Sequence, residues 1–182
     1  MPTLRDMRPA DVEPLATWMV TLPLLQRYGL TLEGAKRQFQ AGLARGDTLL
    51  TAEEDGRSVG FAWMLPNGAF GRSPYLRLIG VHPDCTSRGV GALLLDAIEA
   101  RAWTLADVLF LLVSDFNTRA QHFYERQGYH RIGALADYVV PGVAELLYWK
   151  QRVAEWPVRA RIVLSGSLIN VEMDAPVIDG CR

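Results

Sequence analysis

The stretch "CTSRGVGALLLDAIEA", residues 85–100, places two glycines one residue apart directly before an amphipathic helix pattern. The first turn of a helix carries unpaired N–H groups and the positive end of the helix dipole, so it attracts phosphate groups. Gly89 and Gly91 lack the Cβ atoms that would keep a ligand away from those N–H groups. The stretch therefore predicts either a phosphate-binding turn or a tight corner.

Two common phosphate-binding motifs do not fit this stretch. The dinucleotide fingerprint G-x-G-x-x-G requires a third glycine where the chain has Leu94, and it is expected at the first strand–helix junction of a βαβ series. The triphosphate loop requires a lysine after its last glycine, and no lysine follows Gly89 or Gly91. An isolated G-x-G favours a corner, but "LIGVHPD" before it and "NTRAQHFYERQGY" after the next predicted strand favour a ligand site.

The order of predicted elements indicates an α/β domain with a mixed sheet. Apolar spacing, turn residues and helix-start residues such as Asp11 and Asn117 set the boundaries. Strands are predicted at residues 3–7, 48–53, 58–65, 75–81, 108–114 and in "YHRIGAL" and "AELLYWKQ", helices after Asp11, at 31–44, after the glycine turn to about residue 103 and at 117–128, and a loop at 66–74. Residues 1–150 form the predicted domain, and residues 151–182 form an extension in which 158–164 and 168–173 could pair as a hairpin.

Composition points to one soluble domain. The chain has 182 residues, 49% of them hydrophobic and 21% charged, with a net charge of −1. This balance gives no support to nucleic-acid or membrane binding through a global field. Its two cysteines, Cys85 and Cys181, are far apart and belong to no Cys/His cluster, so no disulfide framework or metal site is predicted. The N-terminal stretch lacks a signal-peptide core, and a cytoplasmic location is expected.

Two motifs in this order resemble those of the Gcn5-related N-acetyltransferase (GNAT) family. The first motif, V-x-P followed by [Q/R]-x-x-G-x-[G/A] and a helix, falls on Val81, Pro83, Gly89 and Gly91. The second motif, N-x-x-A-x-x-[F/L]-Y-x-x-x-G-[F/Y], falls on Asn117, Ala120, Phe123, Tyr124, Gly128 and Tyr129. The resemblance covers about residues 3 to 150. It implies a mixed, mostly antiparallel central sheet flanked by helices, with the C-terminal extension outside it.

The resemblance implies acetyl-CoA as co-substrate, with no metal. Its pyrophosphate would lie on the backbone amides of residues 88–92, its pantetheine arm would run beside residues 79–81 where the next strand splays away, and Asn117 would bind the arm. The residues implied as coenzyme contacts are Ile79, Gly80, Val81, Thr86, Ser87, Arg88, Gly89, Val90, Gly91, Ala92 and Asn117. Thr86 stands where the family usually has Gln or Arg, so backbone amides are expected to carry most of the binding.

The implied reaction is transfer of an acetyl group to a primary amine of a small molecule or peptide. The N–H of Val81 would stabilise the oxyanion, and Tyr124 would donate a proton to the departing thiolate. No general base is assigned, because the strand at 75–81 carries Arg77 and no carboxylate, while His82, His122 and Asp115 have equally good structural roles. The acceptor site is expected to use Trp18, Leu24, Leu25, Tyr28, Asp137 and Tyr138.

Two other interpretations remain open at this point. The missing strand carboxylate and Thr86 leave room for a non-catalytic domain that binds or senses acyl-CoA. The predicted hairpin in the extension could serve as a homodimer contact.

Overall fold

The structure, a computed structural model, describes residues 2–152, 163–164 and 167–168. The strands are β1 (Thr3–Asp6), β2 (Thr48–Glu54), β3 (Arg57–Ala69), β4 (Ser73–Val81), β5 (Val108–Ser114), β6 (His130–Ala136), β7 (Ala144–Gln151), β8 (Val163–Leu164) and β9 (Ser167–Leu168). The helices are α1 (Val12–Met19), α2 (Pro23–Arg27), α3 (Leu32–Arg45), α4 (Val90–Ala102) and α5 (Thr118–Arg126). Two 3-10 turns, Pro9–Asp11 and Pro83–Cys85, precede α1 and α4.

Seven of the strands form one sheet in the order β1-β2-β3-β4-β5-β7-β6. Every neighbouring pair is antiparallel except β4 and β5, which run parallel. This confirms the expected mixed, mostly antiparallel sheet. The parallel pair is joined at two positions, Tyr75 with Phe110 and Leu76 with Leu111, and the two strands separate beyond them.

Alternating side chains on the strands fill two hydrophobic cores, one on each face of the sheet. Ala62 and Met64 of β3 face the core covered by α4, whose Leu94, Leu95 and Ile98 are fully buried. The intervening Phe61 and Trp63 face the opposite core, which α1 and α3 cover. The helices therefore flank the sheet on both faces, as expected.

Residues 1–152 and 153–182 form two separate units. In the second unit β8 and β9 pair antiparallel, Val163 with Leu168 and Leu164 with Ser167. These four residues overlap the predicted hairpin, whose remaining residues lie outside the described part of the chain. Of the helices that the structure describes, none is long and apolar enough to cross a membrane.

Two local predictions are wrong, and one short helix is not predicted. The predicted loop at 66–74 is the end of a hairpin, because β3 continues to Ala69 and a tight turn with left-handed Phe70 and Gly71 returns the chain into β4. The five-residue helix α2 was not predicted, since it is too short to show an apolar period. Asp11 does not cap α1 with its side chain; its carboxylate accepts from Arg8 N–H and pairs with Arg5.

Candidate active site

A cavity of about 1210 Å³ opens where β4 and β5 separate. The two strands form its floor, the start of α4 closes one side, and α5 contributes Ala120 and Phe123 to another. Ten of the twelve residues assigned to the coenzyme or to catalysis by resemblance line it: Ile79, Val81, Thr86, Ser87, Gly89, Val90, Gly91, Ala92, Asn117 and Tyr124. Gly80 and Arg88 do not.

The open edge of β4 presents peptide groups to the cavity. His82 N–H donates to Val59 O at 2.8 Å, so the peptide N–H at this position points toward β3. Peptide groups alternate sides along a strand, and Ile79 and Val81 pair with Ala62 and Gly60 at the intervening, non-hydrogen-bonded positions. The N–H and C=O groups of Ile79 and Val81 therefore point away from β3, toward the space left by β5.

The turn before α4 is held in an uncommon backbone conformation. Ser87 has a φ of 64° and Gly89, the N-cap residue of α4, a φ of 82°, both in the left-handed region. Gly89 meets this requirement without a Cβ penalty. Gly91 has ordinary helical backbone, and a Cβ there would lie 3.7 Å from Val81 Cγ2 and 3.8 Å from Phe123 Cζ, which is ordinary contact. The fold therefore does not demand glycine at position 91, whereas close approach of a ligand to the helix start would.

Three of the residues that the resemblance assigns to the coenzyme have other contacts within the fold. The guanidinium of Arg88 donates to Glu54 at 3.0 Å, outside the cavity. The Thr86 hydroxyl donates to Pro83 O at 3.0 Å, which leaves only its lone pairs for a ligand. A Cβ on Gly80 would lie 2.6 Å from Phe61 Cε1, so packing against the opposite core explains that glycine. Backbone groups, rather than the side chains of Thr86 and Arg88, dominate this end of the cavity.

Asn117 and Tyr124 approach the cavity from α5. Asn117 caps the helix as predicted, with Oδ1 accepting from Ala120 N–H at 3.2 Å, so its Nδ2 group is the remaining donor. Tyr124 is 7% exposed and packs edge-on against Tyr129 with ring centroids 5.6 Å apart. Burial raises the pKa of the Tyr124 phenol well above its usual value, and Tyr75 adds to the increase. The phenol is therefore protonated at neutral pH.

A buried carboxylate that sequence reasoning missed also lines the cavity. Glu145, at the start of β7, is 5% exposed, and its Oε1 accepts a hydrogen bond from the Tyr28 hydroxyl. The Tyr28 hydroxyl oxygen also lies 2.6 Å from Ser114 Oγ. The sheet register places Ser114 directly opposite Glu145. Tyr28, Ser114 and Glu145 all line the cavity.

The charge of Glu145 acts on both nearby phenols. Burial raises the pKa of Tyr28, and the hydrogen bond to Glu145 raises it further, while the bond with Ser114 lowers it. Burial also raises the pKa of Tyr75 to about 12, and Glu145 contributes in the same direction. Both phenols therefore stay protonated at neutral pH.

The expected acceptor residues divide into two groups. Leu24, Leu25, Tyr28 and Tyr138 line the cavity, but Trp18 and Asp137 do not. Trp18 is buried in the core under α1, where its ring packs against Phe61. Asp137 accepts from Gly142 N–H at 2.6 Å and so closes the β6–β7 loop.

Two polar residues that were considered as bases have structural roles. His82 Nδ1 accepts from Asp84 N–H at 3.3 Å, which caps the 3-10 turn. Asp115 Oδ2 accepts from Ala144 N–H at 3.2 Å. Neither residue lines the cavity, and His122 is exposed on α5.

Comparison with known proteins gives one family and a set of similar folds. The sequence model of the acetyltransferase (GNAT) family matches residues 17–129. No curated protein matches the sequence.

Three solved structures illustrate the likeness of fold. A GNAT-family acetyltransferase from Bacillus cereus has a TM-score of 0.69 at 17% identity, over 84% of this chain and 99% of its own. The ribosomal-protein-alanine N-acetyltransferase of Brucella melitensis has a TM-score of 0.67 at 20% identity, over 82% and 99%. The protein yncA of Salmonella typhimurium, solved with its cofactor acetyl-CoA, has a TM-score of 0.68 at 16% identity, over 85% and 96%.

Proposed function

The chain belongs to the acetyltransferase (GNAT) family, and on this basis we propose that it transfers an acetyl group from acetyl-CoA to a primary amine of a small molecule or peptide. The observation that carries the proposal is the junction of two features. The open edge of β4 presents the peptide groups of Ile79 and Val81, and directly beside it the glycine turn exposes the start of α4.

The cavity fits the chemistry of coenzyme A. The pyrophosphate of coenzyme A requires N–H donors and positive potential, which the first turn of α4 supplies. Its pantetheine arm carries two amide groups, which can pair with the free edge of β4 as an added strand would. The space beside Gly91, into which a Cβ would project, leaves room for this approach. Asn117 Nδ2 is available to an amide carbonyl of the arm.

Acetyl-CoA supplies an activated acetyl group as a thioester. A primary ammonium has a pKa of about 10 and must lose a proton before its nitrogen can attack. The C–N bond forms as the C–S bond breaks, so that one ammonium and one thioester give one amide, one thiol and one released proton. Val81 N–H points into the cavity and can stabilise the oxyanion that develops on the acetyl carbonyl. The protonated Tyr124 phenol can give its proton to the departing sulfur.

A non-catalytic acyl-CoA-binding domain is the second candidate. Thr86 favours it, because its hydroxyl proton is already donated to Pro83 O and the side chain brings no charge to the coenzyme. Such a domain would bind acetyl-CoA and leave it intact.

Release of free coenzyme A thiol separates the two candidates. Purified full-length chain is incubated with acetyl-CoA and a panel of primary amines and peptides, and acetyl-CoA binding is measured in parallel by calorimetry. Amine-dependent thiol release is expected, with N-acetylated product detected by mass spectrometry. Tight acetyl-CoA binding without thiol release from any acceptor would favour the sensing domain, and absence of binding would contradict both candidates.

A further inference from the structure

We infer that Glu145, held by Tyr28 and Ser114, is the anchor for the ammonium group of the acceptor, and that the acceptor is a monoamine with an apolar body rather than a polyamine. The inference rests on the proposed function and adds the class of substrate and the residue that recognises it. It depends on the hydrogen bonds around Glu145, on the charges of the cavity and on the apolar surface at its mouth.

The hydrogen bonds run in one direction toward Glu145. A tyrosine hydroxyl has one proton, and Tyr28 donates it to Glu145 Oε1. The bond between Ser114 Oγ and the Tyr28 oxygen must then be donated by Ser114. A relay from Ser114 through Tyr28 to Glu145 stabilises the carboxylate as an anion and fixes its orientation. It uses Oε1 and leaves Oε2 as an acceptor.

The Glu145 carboxylate has no direct ion-pair partner among the described residues. Within the part of the chain that the structure describes, no lysine, arginine or histidine forms an ion pair with Glu145. A buried anion with one neutral donor is costly unless a cation joins it. A primary ammonium has three N–H donors and a positive charge, so it can bind Oε2 and supply that cation.

The other charges in the cavity select against additional cationic groups. Among the described residues that line the cavity, Glu145 is the one acid, and the basic residues are Arg77, Arg119 and Arg126. One carboxylate can neutralise one ammonium, while a second or third ammonium would meet guanidinium groups or lack a partner. This charge pattern favours a substrate with a single positive charge.

The mouth of the cavity is apolar. Of the seven large hydrophobic side chains that are exposed in the described part of the chain, four line this cavity: Phe70, Leu135, Tyr138 and Val139. Phe70 is 79% exposed and Tyr138 is 64% exposed, although both flank a polar site. A concentration of exposed apolar surface at one place indicates a binding site. An aromatic or aliphatic body attached to the ammonium would cover it.

The test compares monoamines and polyamines on wild type, Glu145→Gln and Tyr28→Phe. Phenethylamine and hexylamine are the monoamine probes, and spermidine is the polyamine probe. Glu145→Gln keeps the size and the Oε1 acceptor but removes the charge, so kcat/KM for the monoamines is expected to fall by at least about tenfold. The Kd of Glu145→Gln for coenzyme A should remain within twofold of wild type, because Glu145 is not among the residues assigned to the coenzyme. Glu33→Gln, the same change at an exposed acid of α3 outside the cavity, should alter neither value.

Binding of the amine provides a readout that does not require turnover. Calorimetric titration of phenethylamine and hexylamine into the chain saturated with coenzyme A should show binding to wild type and to Glu33→Gln, and at least about tenfold weaker binding to Glu145→Gln. Tyr28→Phe should give an intermediate loss, since the carboxylate keeps its charge but loses its donor.

The possible outcomes distinguish failure of the Glu145 inference from failure of the proposed function. If wild type releases thiol with monoamines but Glu145→Gln does so equally well, the inference is wrong and the proposed function stands. A higher kcat/KM for spermidine than for either monoamine would contradict the substrate class. If no amine causes thiol release, the proposed function fails, and the inference then stands only if wild type binds a monoamine and Glu145→Gln binds it more weakly. Equal binding, or none to wild type, would overturn it.

Discussion

Replacing Gly91 with alanine separates what the fold requires from what a ligand requires. The added Cβ would lie 3.7 Å or more from its nearest neighbours, Val81 and Phe123, so no side chain has to move. Gly91 has no positive φ and is the second residue of α4. Alanine at such a site stabilises a protein by about 0.4–1 kcal/mol, chiefly by restricting the unfolded chain. The free energy of unfolding is therefore expected to rise.

Binding of coenzyme A is expected to change in the opposite direction. The Cβ would project into the space through which a phosphate would reach the amides at the start of α4. A hydrogen bond to a charged group is worth about 1.5–3 kcal/mol, and each 1.4 kcal/mol is a factor of ten in Kd, so losing one such bond weakens binding about 10- to 150-fold. Urea denaturation gives the first quantity and calorimetric titration with coenzyme A the second.

Two other glycines serve as controls. Gly133→Ala adds a Cβ in open space on β6, outside the cavity, and should leave the Kd for coenzyme A unchanged. Gly89→Ala forces an L residue to a φ of 82°, which should cost about 1–2 kcal/mol of stability. The reasoning would be refuted if Gly91→Ala bound coenzyme A within twofold of wild type, or if it destabilised the fold as much as Gly89→Ala.

Three further predictions concern catalysis, packing and pH. Tyr124→Phe removes the proposed acid, so kcat should fall by about 100-fold or more while the Kd for acetyl-CoA stays unchanged; an unaltered kcat at saturating amine would exclude the acid role. Gly80→Ala places a Cβ 2.6 Å from Phe61 Cε1, so urea denaturation should show a loss of about 1–3 kcal/mol, and equal stability would contradict this packing. The hydrogen bond from Arg5 lowers the pKa of Asp11, so its stabilising effect is complete above the unfolded-state pKa and disappears as pH falls through the lower folded-state value. Asp11→Asn should therefore be less stable than wild type at pH 7, with a smaller loss of stability on acidification; parallel stability profiles against pH would contradict this assignment.

The parts of the fold that sequence predicts are those that local chemistry determines. The apolar run of β5, the cap residue Asn117 and the glycine turn each act on backbone within a few residues, and their predicted positions are confirmed. The segment at 66–74 was read as a loop because Pro, Gly and Asn are rare in strands. Pairing of β3 with β4 overrides that preference, and the chain stays extended as far as Ala69.

The residues of the candidate site also divide into those that a local motif predicts and those that only the fold brings together. The residues around the start of α4 share one short motif, so sequence alone brings most of them to one cavity. The acceptor end depends on contacts between distant segments. Glu145 lies 117 residues from Tyr28 along the chain, and only the register of β5 with β7 brings it to Ser114. A glutamate at the start of an apolar strand gives no sign of such partners, and Asp137 was therefore the acid that sequence reasoning chose.

The two-position junction of β4 and β5 also leaves part of the sheet open to pairing with a molecule from outside the chain. Among the described strands, none pairs with the peptide groups of Ile79 and Val81 on their open side, so their amide hydrogens should exchange with solvent faster than those of β3. A pantetheine arm seated there would act as a temporary extra strand and slow that exchange. Ligand at 100 times its Kd adds about 2.7 kcal/mol to folding stability, so the supply of coenzyme would set how long the folded chain survives proteolysis.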